Sequence, residues 1–216
     1  MSPTLPRRIV PLVLCAALLL LSACAAASTL RSASTPLDTY VLNPLPAPAA
    51  PGRSGSRIVF VADPTAPAAI AGDRIVIKPE AIRVALIGDG RWVEALPVHV
   101  RNVLARSLAN TGRFAFVTTS TVGPLPDYTL LTDIDAFQAE SLPGDGAPAR
   151  VVVSMTLTLL RDLDGRLVAS HRFTKTAETP ATDARSIVLA FDAANAALLR
   201  EAIPWASATM TGRAGM

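Results

Sequence analysis

The residue order predicts an α+β fold: an antiparallel or mixed β-sheet with two main α-helices packed on one face, in a single domain. Three observations carry this. Val151, Val153, Met155, Leu157 and Leu159 alternate with Val152, Ser154, Thr156, Thr158 and Leu160, the period-two pattern of a half-buried antiparallel strand. Leu96, Val100, Val103, Leu104 and Leu108 recur at i, i+4, i+7, i+8 and i+12, one face of a 3.6-residue period. Ile187, Phe191, Ala194 and Leu198 repeat that pattern near the end of the chain, so the order is strands, helix, strands, helix.

The elements follow in turn. Residues 37–42 (LDTYVL) read as a first short strand, and the Pro/Gly-rich NPLPAPAAPGRSGS after it reads as a loop. Residues 57–62 (RIVFVA) are rich in Ile, Val and Phe, which predicts a second strand. After a loop over 63–73 come RIVIK at 74–78 and AIRVALI at 81–87, two strands that make a hairpin or one bent ribbon. Gly88-Asp89-Gly90 reads as a turn. The first helix follows, with Pro97 suited to its first turn and Gly112 to its stop.

Residues 114–118 (FAFVT) predict a strand, and so do residues 127–137, with Tyr128, Leu130 and Ile134 on one face. The loop SLPGDGAPA at 141–149 joins that strand to the clear alternation at 151–159. Asp162-Leu163-Asp164-Gly165 is a hairpin turn, and residues 166–174 return with Leu167, Ala169, His171 and Phe173 on one face. The second helix is expected over 182–203, with Thr182 as N-cap and Asp183 favourable to the dipole. Pro204 is expected to end it, Trp205 to fold back on the core, and the tail to be loose.

Composition bounds the function. The chain has 216 residues, 50% hydrophobic and 17% charged, with mean hydropathy +0.40. That excludes a disordered chain. About 165 residues in one domain bury roughly 70% of their unfolded surface, enough for a stable core. The net charge of +3 includes Arg7 and Arg8 at the N-terminus; without them it falls to +1. The remaining arginines are scattered rather than striped, which argues against a nucleic-acid partner.

The first thirty residues carry the strongest signal. Arg7 and Arg8 precede an apolar run from Ile9 to Leu21, too short to span a bilayer, which needs about 20 residues. The run fits a secretory signal, and it closes on Leu21-Ser22-Ala23-Cys24. This is a lipobox. Small side chains at Ser22 and Ala23 admit the extended backbone to a narrow peptidase site, and the thiol of Cys24 takes a diacylglycerol. Cleavage before Cys24 frees an amine for a further acyl chain, and several chains make a stable anchor. Residues 1–23 are thus read as signal peptide and 24–36 as acylated N-terminus and tether. The folded domain is assigned to 37–206 and the loose tail to 207–216. Ala25, in place of an aspartate, favours the outer membrane, facing the periplasm, over inner-membrane retention.

Sites of chemistry are not found. Cys15 and Cys24 both belong to the signal region, so the domain has no thiol, no disulfide and no metal or cofactor centre in view. His99 and His171 read as surface or boundary residues, and Asp133 and Asp135 as a solvated strand face. No Ser-centred elbow or phosphate loop occurs. Arg91 and Trp92 are the candidate partner contacts, since both types are enriched at binding hot spots; core packing of Trp92 is the competing reading, and Trp205 has the same two readings.

The ordered set of these features resembles the ABC-type transport auxiliary lipoprotein component family. The lipobox is followed by DTYVLNP. A segment RIVIKPEAIRVALIGDGRWVEALPVHVRNVLARSLANTGRFAFV holds Arg91-Trp92 before the helix and Gly112-Arg113-Phe114 after it. Asp127-Tyr128 opens a strand ending in Asp135-Ala136-Phe137, and a hairpin leads to ASHRF at 169–173. The last helix carries Ala190-Phe191-Asp192-Ala193-Ala194 and ends near Trp205. The resemblance spans residues 38–205. Leu86 and Ile87 depart from it, standing where the family often has aromatic residues. It implies a non-enzymatic accessory subunit of an envelope ABC system. Such a system pairs a permease and an ATPase with a periplasmic MCE-domain protein and moves lipids or other hydrophobic molecules. Self-association into a ring is compatible with this role and undecided by the sequence. The rival reading is a lipoprotein that activates a peptidoglycan-synthesising enzyme. Only about a dozen residues separate Cys24 from the first strand, an r.m.s. reach of ~20 Å, which weighs against that rival.

Overall fold

Alternating apolar residues set most of the sheet. A computed structural model describes residues 37–49, 55–142 and 149–211. Cys24, the lipobox, the signal peptide, residues 25–36 and the end of the tail lie outside the described residues. The strands are β1 (Asp38–Tyr40), β2 (Ile58–Val61), β3 (Arg74–Glu80), β4 (Arg83–Trp92), β5 (Phe116–Thr118), β6 (Tyr128–Ser141), β7 (Ala149–Arg161) and β8 (Arg166–Thr179). The helices are α1 (Leu96–Asn110), between β4 and β5, and α2 (Ala184–Met210), after β8. The fold is α+β, a mixed, curled eight-stranded sheet with two helices.

β6 is the spine. It pairs antiparallel with β7 along nearly its whole length, and β7 pairs antiparallel with β8. Its other edge is shared: β2 lies parallel to its first residues and β3 parallel to its last. β3 and β4 form an antiparallel hairpin with Ala81-Ile82 at its tip. β1 is parallel to β4, and β5 to β2.

The buried side of β6 begins as expected with Tyr128, Leu130 and Ile134, then switches to Phe137 and Ala139. A register shift between Ile134 and Ala136 causes the switch, because one extra residue in a strand flips every later side chain. In β7, Val151, Val153, Met155, Leu157 and Leu159 face the core as the alternation requires. β8 is more exposed. Leu167, read on one face with Phe173, is exposed, and only Phe173 and Thr179 of that strand are buried.

Three expectations are corrected. Gly88-Asp89-Gly90 is not a turn; it lies inside β4, where Gly90 pairs with Asp38. A Cβ on Gly90 would sit 2.9 Å from both the Ala184 Cβ and the Tyr40 ring, so glycine there permits close packing of β4, β1 and α2. The cap of α2 is Asp183 rather than Thr182: its carboxylate accepts the Ser186 N–H at 3.0 Å. Pro204 does not end α2, which continues to Met210. Its missing N–H would have bonded the carbonyl of Arg200, and both residues are exposed. Ala202, Ile203, Ala206 and Met210 stay buried and carry the helix past the proline. Residues 207–210 are therefore helix, not loose tail.

The core lies between the helices and the sheet. Phe191 of α2 stacks on Phe137 of β6 at 4.8 Å and meets Trp92 of β4 edge-on at 5.4 Å. α1 packs against β5, β2 and α2. Pro97 lies in its first turn, and Gly112 follows it at φ +63°, as expected.

Candidate functional site

Trp92 is 2% exposed and packs inside the aromatic cluster, as the core reading of this residue requires. Arg91 next to it is exposed and pairs with Asp73 at 3.5 Å. The two candidate contacts thus separate, because successive residues of a strand face opposite sides. Trp205 is partly buried, with Phe173 at 5.5 Å and His171 at 5.9 Å.

His99 differs from expectation. It is 5% exposed, and both ring nitrogens are engaged. Nε2 accepts the buried Leu42 N–H at 2.7 Å. Nδ1 then carries the proton and donates to Glu94 Oε1 at 3.1 Å. Leu42 comes from the loop after β1, distant in sequence, and that loop supplies the burial. With no lone pair free, His99 is a structural pin rather than a base. His171 is exposed, as expected. Asp133 and Asp135 are exposed as well; Asp133 bonds Thr65, and Asp135 pairs with Arg172 at 3.1 Å. No cluster of three or more His, Cys, Asp or Glu suited to a metal ion occurs among the described residues.

The larger feature lies at the end of the sheet where β2, β6 and the β7–β8 turn meet. A shallow cavity of about 680 Å³ is lined there by Arg57, Leu125, Tyr128, Arg161 and Leu163. Leu125 is 90% and Leu163 92% exposed. The polar frame beneath them is well bonded. Asp127 Oδ2 accepts the Ile58 N–H at 2.8 Å, and Oδ1 pairs with Arg57 at 3.0 Å. These bonds, the backbone one first, hold the Asp127 carboxyl below its ordinary value. Arg57 also sits 5.8 Å from the Tyr128 ring centre. Arg161 binds Asp164 across the turn, which pulls that carboxyl down to about 2. Two apolar tips beside fixed arginines suit contact with another macromolecule better than turnover of a small substrate. Sequence reasoning marked Asp127-Tyr128 only as a strand opening. The hint it passed over was a hydrophobic residue, Leu163, inside a polar turn.

The comparisons with known proteins decide the family. The family model described as "ABC-type transport auxiliary lipoprotein component" matches residues 40–202. This chain belongs to that family. It is therefore an auxiliary lipoprotein component of ABC-type transport, membrane-anchored in the envelope and associated with an ABC transport system. Among solved structures, this auxiliary component is similar to protein XCC0632 from Xanthomonas campestris, with 22% identity and TM-score 0.72, covering 82% of this chain and 98% of that one. It is also similar to an uncharacterized protein with 18% identity and TM-score 0.61, covering 79% of this chain and 99% of that one. These likenesses bear out the fold. No curated protein matches the chain.

Proposed function

We propose that this auxiliary component is held in the outer membrane through acylated Cys24, facing the periplasm. There it serves, with no chemistry of its own, an MCE-type ABC system that moves lipids or other hydrophobic molecules. Its work is tethering: it docks the periplasmic MCE-domain protein, and through it the permease and ATPase, at the membrane. The family match over residues 40–202 carries this reading. Two features of the chain support it. The strand β1 begins about a dozen residues after Cys24, which keeps the domain within ~20 Å of the bilayer on average. The Leu125/Leu163 end lies where β6 begins, and β1 runs toward that end, so the chain enters β1 from the other side.

The test is a mild-detergent pull-down of C-terminally tagged protein from intact envelopes, with partners identified by mass spectrometry. Wild type is expected to bring down an MCE-domain protein with its permease and ATPase. Cys24→Ala should leave the membrane fraction. Leu125→Asp with Leu163→Asp should stay anchored and folded and lose the MCE protein. Recovery of a peptidoglycan synthase without any MCE protein would overturn the reading.

A further inference from the structure

The β3–β4 hairpin carries a row of apolar side chains that the core does not use. Ile82 at its tip is 95% exposed, and Val84 and Leu86 on β4 are about half exposed. Ile75, Val76 and Ile87 are buried, and Val84 and Leu86 lie on the face of β4 opposite Ile87. Arg83 flanks the tip, paired with Glu80 at 3.2 Å, and Lys78 stands opposite Glu140 of β6.

The course of the chain says what this tip faces. β1 runs parallel to β4, with Asp38 beside Gly90. The N-terminal end of β1 therefore points back along β4 toward Arg83 and the tip. Between Gly90 and Ile82 lie about eight residues of strand, or about 25 Å at 3.3 Å per residue. The segment from Cys24 to Asp38 has an r.m.s. reach of ~20 Å and an extended limit of about 45 Å. The hairpin thus lies on the side from which the chain enters β1, about 25 Å back along β4 from Gly90, within the extended limit of the segment that follows Cys24.

We propose that the tip of the β3–β4 hairpin is a membrane contact: Ile82 enters the headgroup region of the bilayer that holds the chain, with Val84 and Leu86 behind it. This rests on the anchor reading for Cys24. The acyl chains alone leave the domain free to tumble; a second, shallow apolar contact fixes its orientation and holds the Leu125/Leu163 end away from the membrane.

The test uses the full, acylated protein carrying Ile82→Cys labelled with an environment-sensitive fluorophore. The vesicles are of phosphatidylethanolamine and phosphatidylglycerol with a spin-labelled lipid as quencher. Leu86→Cys and Leu163→Cys are labelled in parallel, all three being exposed positions that tolerate the change. Quenching at residue 82 is expected to exceed that at 163 by about twofold or more, with 86 between them. Equal quenching at 82 and 163 in protein that floats with the vesicles overturns the contact and leaves the anchor standing. Shielding of 82 from an aqueous quencher without lipid quenching assigns the tip to a protein occupant and also overturns it. Protein whose N-terminal peptide lacks acyl mass and which fails to float overturns the anchor and the contact together.

Discussion

His99 Nε2 is the acceptor for a buried backbone N–H, that of Leu42. His99→Leu keeps the bulk and removes the acceptor, so urea unfolding should show a loss of about 1–3 kcal/mol. Gly90 has the opposite constraint, with no room for a side chain against Ala184 and Tyr40. Gly90→Val should destabilise by about 1–3 kcal/mol, read as a lowered melting temperature. Asp127 is a titrating pin. Its carboxyl lies below its ordinary value of 3.8, so its contribution is complete above that value and is lost as pH falls through the lowered one. Wild type should exceed Asp127→Asn by about 1 kcal/mol at pH 7. That margin should close as pH is taken below the ordinary carboxylate range, measured by denaturant titration across pH.

At the scale of elements, α2 and β6 each break a local rule, with a tertiary reason. α2 runs through Pro204 because its last turns keep an apolar face against the core, ending in buried Met210. Met210→Ala should cost about 2–3 kcal/mol by calorimetry or denaturation; a loose tail would show no change. Pro204→Ala should stabilise modestly, by about 1 kcal/mol, since it restores a helix N–H at an exposed position. β6 changes its buried face at Asp135, allowing one strand to serve β2 at its start and β3 at its end. Asp133 and Asp135 share the exposed face by plain alternation, where they tie to Thr65 and Arg172.

At the scale of the molecule, the fold has a direction. One end carries the Ile82 tip of the β3–β4 hairpin, and the other, at the β7–β8 turn, carries Leu163. The proposed tethering role uses such a polarity, since a membrane end and a partner end must not compete. Adding about twenty Gly/Ser residues between Pro36 and Leu37 raises the r.m.s. reach to about 30 Å. Quenching at labelled residue 82 should then fall, while co-isolation of the MCE protein persists, because the longer segment dilutes the tip at the bilayer without altering the distal end.

The sequence by itself determined what depends on local order. Periodicity placed both helices and the long strands, Asp162–Gly165 closed its hairpin with Gly165 at φ +64°, and composition excluded disorder. The lipobox and the ordered motifs pointed to the family that the match over 40–202 then identified. The tertiary structure alone decided which strands pair, and with what result. Parallel neighbours such as β1 with β4 and β2 with β6 are far apart along the chain, and no local period encodes their meeting. That pairing put Gly88-Asp89-Gly90 inside a strand, and the loop beyond β1 drew His99 into the core. It also left Ile82 and Leu163 bare at opposite ends. Burial is a property of what the rest of the chain covers, so residue type alone could propose those roles and only the packing could assign them.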